Sequence, residues 1–292
     1  MITAETLLTA LMFGVFLGGF YGLMSTGLSY IFGLMGIADL SYFGFLSLGG
    51  YATYLLCIAA KLDPIIAGLL LFPLFFLIGC LKYFWFNKVI EGKHGAFSLT
   101  TGYVLLFGLL IITEMCIYVR WGITEVGVLT TYTMQTITAG PMRLPLRLIL
   151  PFIVCLVLTT MLYLLQRRTF LGIVMRGLAL DELVLSCSGC NTFRIKMIIF
   201  GISSGLCSIA GGLLLAIQPI NPFVGRMFIG LSFAICVLGG MGNIFGTLAA
   251  GIFFGTVENL ASVLVDRVLG SAILFFAALL LLLLKPQGLF RR

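Results

Sequence analysis

The sequence predicts an all-α integral membrane protein, built as a polytopic helical bundle with broken or re-entrant helices. The chain has 292 residues, of which 61% are hydrophobic and 9% are charged, and its mean hydropathy is +1.20. Soluble domains carry about 25% charged residues, so this chain has too few charges to cover a water-facing surface of its size. Apolar runs of about 20 residues, the length that crosses a bilayer, recur along it.

We expect about nine crossings, within a range of about eight to ten. The candidate spans are 7–32, 42–60, 64–84, 97–119, 146–166, 196–217, 227–240, 243–262 and 267–284. The runs at 42–60 and 227–240 are short or interrupted, and we interpret them as half-helices or re-entrant segments. Since the polar stretches are too short to bury a core of their own, residues 1–292 are predicted to form a single membrane domain.

Basic residues orient the chain. They cluster at 82–93, at 167–196 and in the tail 285–292, whereas only Glu5 is charged before the first span. Cytoplasmic loops carry an excess of Lys and Arg, so these three segments and the C-terminus are predicted to be cytoplasmic. The N-terminus and the 120–145 loop are then external. This topology also accounts for the net charge of +7, which therefore does not indicate nucleic-acid binding.

A glycine-rich break interrupts one apolar run. Gly239, Gly240, Gly242 and Asn243 lie where the chain should be at membrane depth. Backbone that leaves the helix there must be buried in protein or line a water-filled cavity. We therefore place these four residues on a translocation pathway.

Polar side chains in apolar surroundings give further pathway candidates. Asp39 follows the first span and stands beside Ser41 and Tyr42. Glu114 is expected near the outer end of one apolar helix, and Glu258 well inside another. Ionisable groups at membrane depth face a protein interior or a cavity. Asp39, Ser41, Tyr42 and Glu258 are pathway candidates, and Glu114 is a weaker one; the alternative role for each carboxylate is a structural hydrogen bond or solvation at a helix end.

Small residues recur at four-residue spacing. This spacing lets helix backbones approach closely in lipid, and it predicts tight internal packing, with a dimer interface as the alternative. The glycine sets are Gly14-Gly18-Gly22, Gly201-Gly205, Gly242-Gly246 and Gly251-Gly255.

The cytoplasmic stretch 171–191 is predicted to hold one short helix that ends near Gly189 and Asn191. Its apolar residues share one stripe at helical spacing: Ile173, Leu180, Val184 and Cys187. An apolar helix face outside the membrane needs a partner. That partner is either the base of this protein or a groove on another protein.

Residues for catalysis or metal binding do not form a recognisable set. His94 is the sole histidine, and Gly92-Lys93 is followed by His94, so the sequence contains no P-loop. Cys187 and Cys190 form a lone CxxC with no second pair, which argues against zinc. The sequence therefore predicts no enzyme, no cofactor and no metal.

Several motifs resemble the permeases of branched-chain amino acid ABC transporters. In this sequence they are Gly36–Tyr51 (GIADLSYFGFLSLGGY), Arg176–Glu182 (RGLALDE) with Gly189, Asn191 and Lys196, Val237–Gly242 (VLGGMG) and Lys285–Phe290 (KPQGLF). The resemblance implies a multi-pass subunit of a bacterial or archaeal inner-membrane importer for branched-chain or related amino acids. It also implies four kinds of neighbour: a second homologous permease, two cytoplasmic ABC ATPases, a periplasmic substrate-binding protein and the lipid bilayer.

The resemblance implies that the ATPases dock on the cytoplasmic segment 167–196, at Arg176, Asp181, Glu182, Gly189 and Asn191. The principal alternative is a secondary transporter or channel that works alone and uses the intramembrane carboxylates as ion or proton sites. A membrane-bound enzyme is a more distant alternative.

Overall fold

The structure is a computed structural model that describes residues 4–90, 96–130, 132, 135–139 and 142–264. It is almost entirely helical. The helices are α1 (Ala4–Met35), α2 (Ser41–Ala60), α3 (Pro64–Leu70), α4 (Phe72–Ile90), α5 (Ala96–Trp121), α6 (Leu146–Arg168), α7 (Phe170–Leu180), α8 (Glu182–Cys187), α9 (Thr192–Ile217), α10 (Val224–Met227), α11 (Ile229–Gly239) and α12 (Ile244–Leu264). The strands β1 (Thr136–Ala139) and β2 (Met142–Pro145) form an antiparallel hairpin within the loop predicted to be external.

Within the described residues, seven helices are long and apolar enough to cross a membrane: α1, α2, α4, α5, α6, α9 and α12. This confirms a helical membrane protein, while the number of nine crossings stays a prediction. The expected span 267–284 and the tail with its Lys285–Phe290 motif lie outside the described residues, as does His94. The expected span 227–240 is represented by α11, which at 11 residues is about 16 Å long and too short to cross alone.

The predicted span 64–84 is wrong in its bounds. Asp63 caps α3 by accepting a hydrogen bond from Ile65 N at 3.1 Å, and Pro64 occupies the first helical position. The spanning helix α4 starts only at Phe72 and continues to Ile90. Helix α4 therefore contains Lys82, which was predicted to lie in a cytoplasmic loop. The helix continues past that lysine because four aromatic residues at 83–86 extend the apolar run.

Contacts between Cα atoms divide the chain into two compact units. The first comprises 1–29, 129–163 and 230–292, and the second comprises 30–128 and 164–229. The division passes through α1 and α6, so each of these helices contributes to both units.

Glycines set the packing of α1 against α12 in the first unit. A Cβ atom added to Gly18 would lie 2.5 Å from the Cα of Ile252, and one added to Gly14 would lie 2.6 Å from the Cα of Thr256. Gly255 faces the same surface, since its Cβ atom would lie 2.5 Å from Gly18. These contacts confirm internal packing as the role of the glycine spacing here.

The second unit is built around α9, almost all of whose residues from Ile199 to Ile217 are buried. Helix α2 lies beside α9 and runs in the same direction, because Cys207 Sγ donates to Tyr42 O at 3.3 Å and Gly50 lies against Gly211. The first half of α2 is therefore level with residues 207–211, in the second half of α9.

Helix α5 also runs parallel to α2. Tyr103 Oη donates to Gly36 O at 3.5 Å, and further along the rings of Tyr51 and Trp121 lie 5.2 Å apart. Glu114, between these two contacts on α5, is therefore level with the first half of α2.

Candidate functional site

The backbone between α1 and α2 forms the first candidate site. Gly36 has a φ of +67°, a left-handed conformation that favours glycine, and residues 36–40 leave the helix before α2 begins at Ser41. Asp39 lies in this break, and its side chain is 0% exposed. The predicted broken helix is thus observed, with a buried carboxylate inside it.

Lys82 of α4 neutralises that carboxylate. Its Nζ atom lies 2.5 Å from Asp39 Oδ2 and is 2% exposed. Ser41 Oγ donates to Asp39 Oδ1 at 2.6 Å and accepts from Lys82 Nζ at 3.3 Å. The rings of Phe45 and Phe200 lie 5.0 and 5.1 Å from the ammonium group, close enough for cation–π attraction.

Asp39 and Ser41 were predicted as site residues, but Lys82 was not predicted as their partner. The apolar run after Lys82 could have identified it, because that run places the lysine inside a span, where a charge needs a counter-charge. Tyr42, the third candidate at this break, is fully buried on α2 next to Ser41, while Asp39 and Ser41 both contact Lys82.

A re-entrant segment between α9 and α11 forms a second polar cluster, which the sequence did not predict as a site. After α9 ends, Ile220 and Val126 exchange backbone hydrogen bonds of 2.9 Å. The chain then returns along α2 until Gly225 N donates to Ser47 Oγ at 3.1 Å. Gly225 is also in close contact with the backbone of Phe43. Helix α10 therefore lies beside the first half of α2, and the re-entrant interpretation of 227–240 stays a prediction.

This segment places Arg226 against Glu114 of α5. Arg226 Nε donates to Glu114 Oε2 at 2.6 Å, and Nη2 contacts the same oxygen. The Glu114 side chain is 0% exposed, whereas the Arg226 side chain is 45% exposed. The guanidinium also lies 5.3 Å from the Phe223 ring. Glu114 was the weakest of the sequence candidates, and its partner Arg226 was not predicted.

The glycine break between α11 and α12 lies in the first unit. Gly240 and Gly242 have φ values of +84° and +81°, so both positions favour glycine. Gly239 packs tightly, since a Cβ atom there would lie 2.5 Å from Thr247 Cα. Asn243 Oδ1 accepts from Gly246 N at 3.3 Å, and this bond satisfies one of the free N–H groups at the start of α12.

Ser29 of α1 secures this break. Its Oγ atom accepts from Gly242 N at 3.1 Å and from Thr247 Oγ1 at 3.3 Å. The break is therefore a defined turn with hydrogen-bonded backbone. Glu258 is half-buried on the same α12 but lies about 20 Å beyond Asn243 along the helix, so the structure does not bring it to the glycine break.

The segment 167–196 contains two helices where one was predicted. Asp181 interrupts the expected helix in an extended conformation, with φ −159° and ψ 114°. Its side chain caps α8 by accepting from Leu183 N at 2.8 Å and Val184 N at 3.3 Å. Gly189, with a φ of +80°, follows α8. Asn191 does not end this helix; it caps α9 by accepting from Arg194 N at 3.1 Å.

Both short helices expose apolar side chains. Leu180 is 88% exposed, Leu183 76% and Val184 63%. Arg176 and Glu182 are exposed among them, and Glu182 Oε1 lies 2.5 Å from Lys196 Nζ of α9. Of the predicted coupling residues, Asp181 and Glu182 thus lie together on this surface, Arg176 lies on α7, and Gly189 and Asn191 form the connection to α9.

Comparison with known proteins identifies the class of this chain. The profile of the family described as "Branched-chain amino acid transport system / permease component" matches residues 10–284. The chain belongs to this family, and with its apolar helices it is a multi-pass permease of the inner membrane. The predicted resemblance is confirmed.

Individual relatives agree with the family assignment. The high-affinity branched-chain amino acid transport system permease protein LivH of Escherichia coli strain K12 is 25% identical over 96% of this chain and 94% of its own length. LivH of Salmonella typhimurium gives the same figures, 25%, 96% and 94%. A probable LivH of Methanocaldococcus jannaschii is 29% identical over 47% of this chain and 46% of its own length. No solved structure matches the chain significantly.

Proposed function

We propose that this protein is the permease subunit of an ATP-binding-cassette importer and forms a translocation pathway for branched-chain or related amino acids. Its partners in this proposal are a second homologous permease, two cytoplasmic ATPases and a periplasmic substrate-binding protein. The family membership supports the transport role, and the names of the relatives support the substrate class. The exposed apolar surface of α7 and α8 is the single observation that carries the ATPase partnership.

That surface is suited to docking. The exposed side chains of Leu180, Leu183 and Val184 follow a segment rich in arginine, which the loop charges place in the cytoplasm. Contiguous apolar side chains exposed to water mark interaction sites, and the lipid bilayer does not cover a cytoplasmic surface. The family resemblance implies that the partner of this surface is a groove on an ATPase. The polar residues Arg176, Asp181 and Glu182 would then select that partner.

The same segment is connected to the most buried helix of the second unit. Glu182 pairs with Lys196 on the first turn of α9, and Asn191 caps that helix. When the ATPases close around ATP, a displacement of α8 would be passed to α9 through these contacts. Gly189, with its left-handed backbone, allows the chain to turn between the two helices.

The two breaks are the proposed moving parts of the pathway. In the second unit this proposal assigns Asp39, Ser41 and Tyr42 to the pathway, and in the first unit the glycine break 239–243 and Glu258. Interruptions of helices at membrane depth are where transporters place their binding and hinge residues. In the glycine break the free backbone groups are held by Ser29 and Asn243, and a conformational change can release these contacts.

A transporter that works alone would need carboxylates available for an ion or a proton. Asp39 is instead neutralised by Lys82, and Glu114 by Arg226. Both pairs make this alternative less suitable than an importer driven by separate ATPases.

Affinity purification and reconstitution test the proposal. The tagged chain, purified gently from its host, should carry ATPase subunits, and vesicles with the whole complex should accumulate leucine only with ATP and the binding protein. Glu182→Lys, which reverses a charge on the docking surface, should abolish ATPase co-purification. Glu125→Lys is the matched control, because Glu125 is exposed in the loop predicted to be external. Leucine accumulation without nucleotide would refute the proposed function.

A further inference from the structure

The position of Arg226 is the starting observation. Arg226 lies next to Gly225, which donates a hydrogen bond to Ser47 in the first half of α2, and this part of α2 is level with residues 207–211 of α9. Helix α9 has 26 residues and is about 39 Å long, enough to cross the hydrocarbon core of about 30 Å. Arg226 therefore lies within the membrane-spanning part of the second unit, about 9–15 Å along α9 from its end at Ile217.

The exposure of Arg226 at this depth needs an explanation. An arginine in the middle of the bilayer is costly and faces a bundle interior or a water-filled cavity. Its side chain is 45% exposed, so the described residues of this chain leave part of the guanidinium uncovered. The exposed face of the guanidinium is therefore available to a group from outside those residues.

The ion pair leaves hydrogen-bonding capacity on both partners. Arg226 directs Nε and Nη2 at a single oxygen of Glu114, Oε2, so the two N–H groups of Nη1 lack an acceptor among the described residues. Glu114 Oε1 is buried and has no hydrogen-bond partner within that same part of the chain. A buried carboxylate oxygen without a donor is uncommon in a settled structural pair.

We propose that Arg226 binds the carboxylate of the amino acid as it crosses the membrane, with Glu114 as the residue that positions the guanidinium. The inference rests on the proposed importer function and adds the group that recognises the substrate. A planar guanidinium suits a carboxylate because it offers paired N–H donors in a fixed geometry. An α-amino acid supplies both missing groups, a carboxylate for Nη1 and an ammonium donor for Glu114 Oε1. The Phe223 ring beside the guanidinium adds an apolar surface for a branched side chain.

Thiol labelling in the complete reconstituted importer tests this site. Arg226→Cys is made in a chain whose exposed or half-exposed cysteines, Cys80, Cys116, Cys187 and Cys190, are replaced by serine. A charged, membrane-impermeant methanethiosulfonate should label it in at least one nucleotide state. Leucine-loaded binding protein should slow that labelling at least tenfold. Ile112→Cys is the control for depth, because Ile112 is 59% exposed two residues from Glu114 and should react only with a membrane-soluble reagent.

Three results would overturn the inference. The first is an Arg226→Cys protein that reacts only with the membrane-soluble reagent, because Arg226 would then face lipid or another subunit. The second is labelling that leucine does not slow, because the cavity would then be wet but not a substrate site. The third comes from Arg226→Lys, which also serves if the cysteine variant does not assemble. It should lower the maximal rate of leucine uptake about tenfold while ATP hydrolysis is retained, and unchanged uptake would refute the inference.

The design separates this inference from the proposed function. If wild-type vesicles accumulate leucine without ATP, the importer proposal fails whatever the labelling shows. If the wild type requires ATP but Arg226→Cys reacts only with the membrane-soluble reagent, or is labelled at a rate that leucine does not change, only the proposed substrate site is wrong. Met227→Leu, a change at the exposed neighbour of Arg226, should leave uptake unchanged and controls for disturbance of the short α10.

Discussion

Replacement of Lys82 by methionine should strongly destabilise the protein. Methionine preserves most of the length of the side chain and removes only its charge and its hydrogen bonds. Asp39 would keep the bond from Ser41 Oγ, 2.6 Å from its Oδ1 atom, but would lose the ammonium group 2.5 Å from its Oδ2 atom. The carboxylate is 0% exposed, so water cannot replace the lost partner without opening the structure.

The expected cost follows from that burial. Removal of one partner from a buried ion pair costs about 3–5 kcal/mol, because the other charge stays buried and uncompensated. The remaining bond from Ser41 places Lys82→Met at the lower end, at about 3 kcal/mol of unfolding free energy. The double variant Asp39→Asn/Lys82→Met removes both charges and should recover about 2 kcal/mol relative to Lys82→Met alone.

Unfolding of the purified protein by dodecyl sulfate titration in mixed micelles measures these free energies. Lys88→Met is the matched control, because Lys88 lies on the same helix α4 and is exposed; it should change stability by less than about 0.5 kcal/mol. A loss of less than about 1 kcal/mol for Lys82→Met would refute the argument that this pair is buried and interdependent. A double variant that is less stable than either single variant would refute it as well.

Two further predictions concern the packing of α1 and the start of α8. Gly18→Leu should prevent assembly of a stable protein, measured as loss of the monodisperse peak in size-exclusion chromatography, because even a Cβ atom would lie 2.5 Å from Ile252 Cα; normal yield and elution would contradict this packing. Asp181→Ala should weaken ATPase binding in the co-purification assay by about 0.5–2 kcal/mol, the cost of losing a helix cap. Asp181→Asn, which retains the cap and removes only the charge, should weaken binding less than Asp181→Ala does. Equal binding by the alanine variant would show that α8 does not depend on its cap for docking.

The class of protein and much of its helical structure follow from the sequence because they depend on properties that lie along the chain. The low proportion of charged residues requires a lipid environment, and the regular spacing of Gly14 and Gly18 predicts the close packing that the structure shows against α12. Helix ends are less accessible from the sequence. A turn at Leu71 divides one expected span into α3 and α4, and Asp181 divides one expected cytoplasmic helix by accepting bonds from the next turn.

Partnerships between distant residues could not be predicted in this way. Asp39 and Lys82 are 43 positions apart, and Glu114 and Arg226 are 112 positions apart. A sequence shows that a carboxylate at membrane depth needs a partner, but it does not show which basic residue the fold delivers. Lys82 was assigned to a loop because it was counted with the basic residues of 82–93 that indicate a cytoplasmic segment. Arg226 received no role at all.

The two ion pairs of the second unit differ in one respect that bears on function. Lys82 and Asp39 are both closed off from solvent, at 2% and 0% exposure, whereas Arg226 is 45% exposed beside a Glu114 that is not exposed at all. Transfer of a charged group out of water is compensated only when it is paired and hydrogen-bonded. The Lys82 pair meets that requirement with protein groups, since Ser41 and two aromatic rings complete it. The Arg226 pair does not, because one oxygen of Glu114 lacks a donor among the described residues. A structural role is therefore sufficient for the first pair, while the second retains a buried carboxylate oxygen that the described residues leave without a donor.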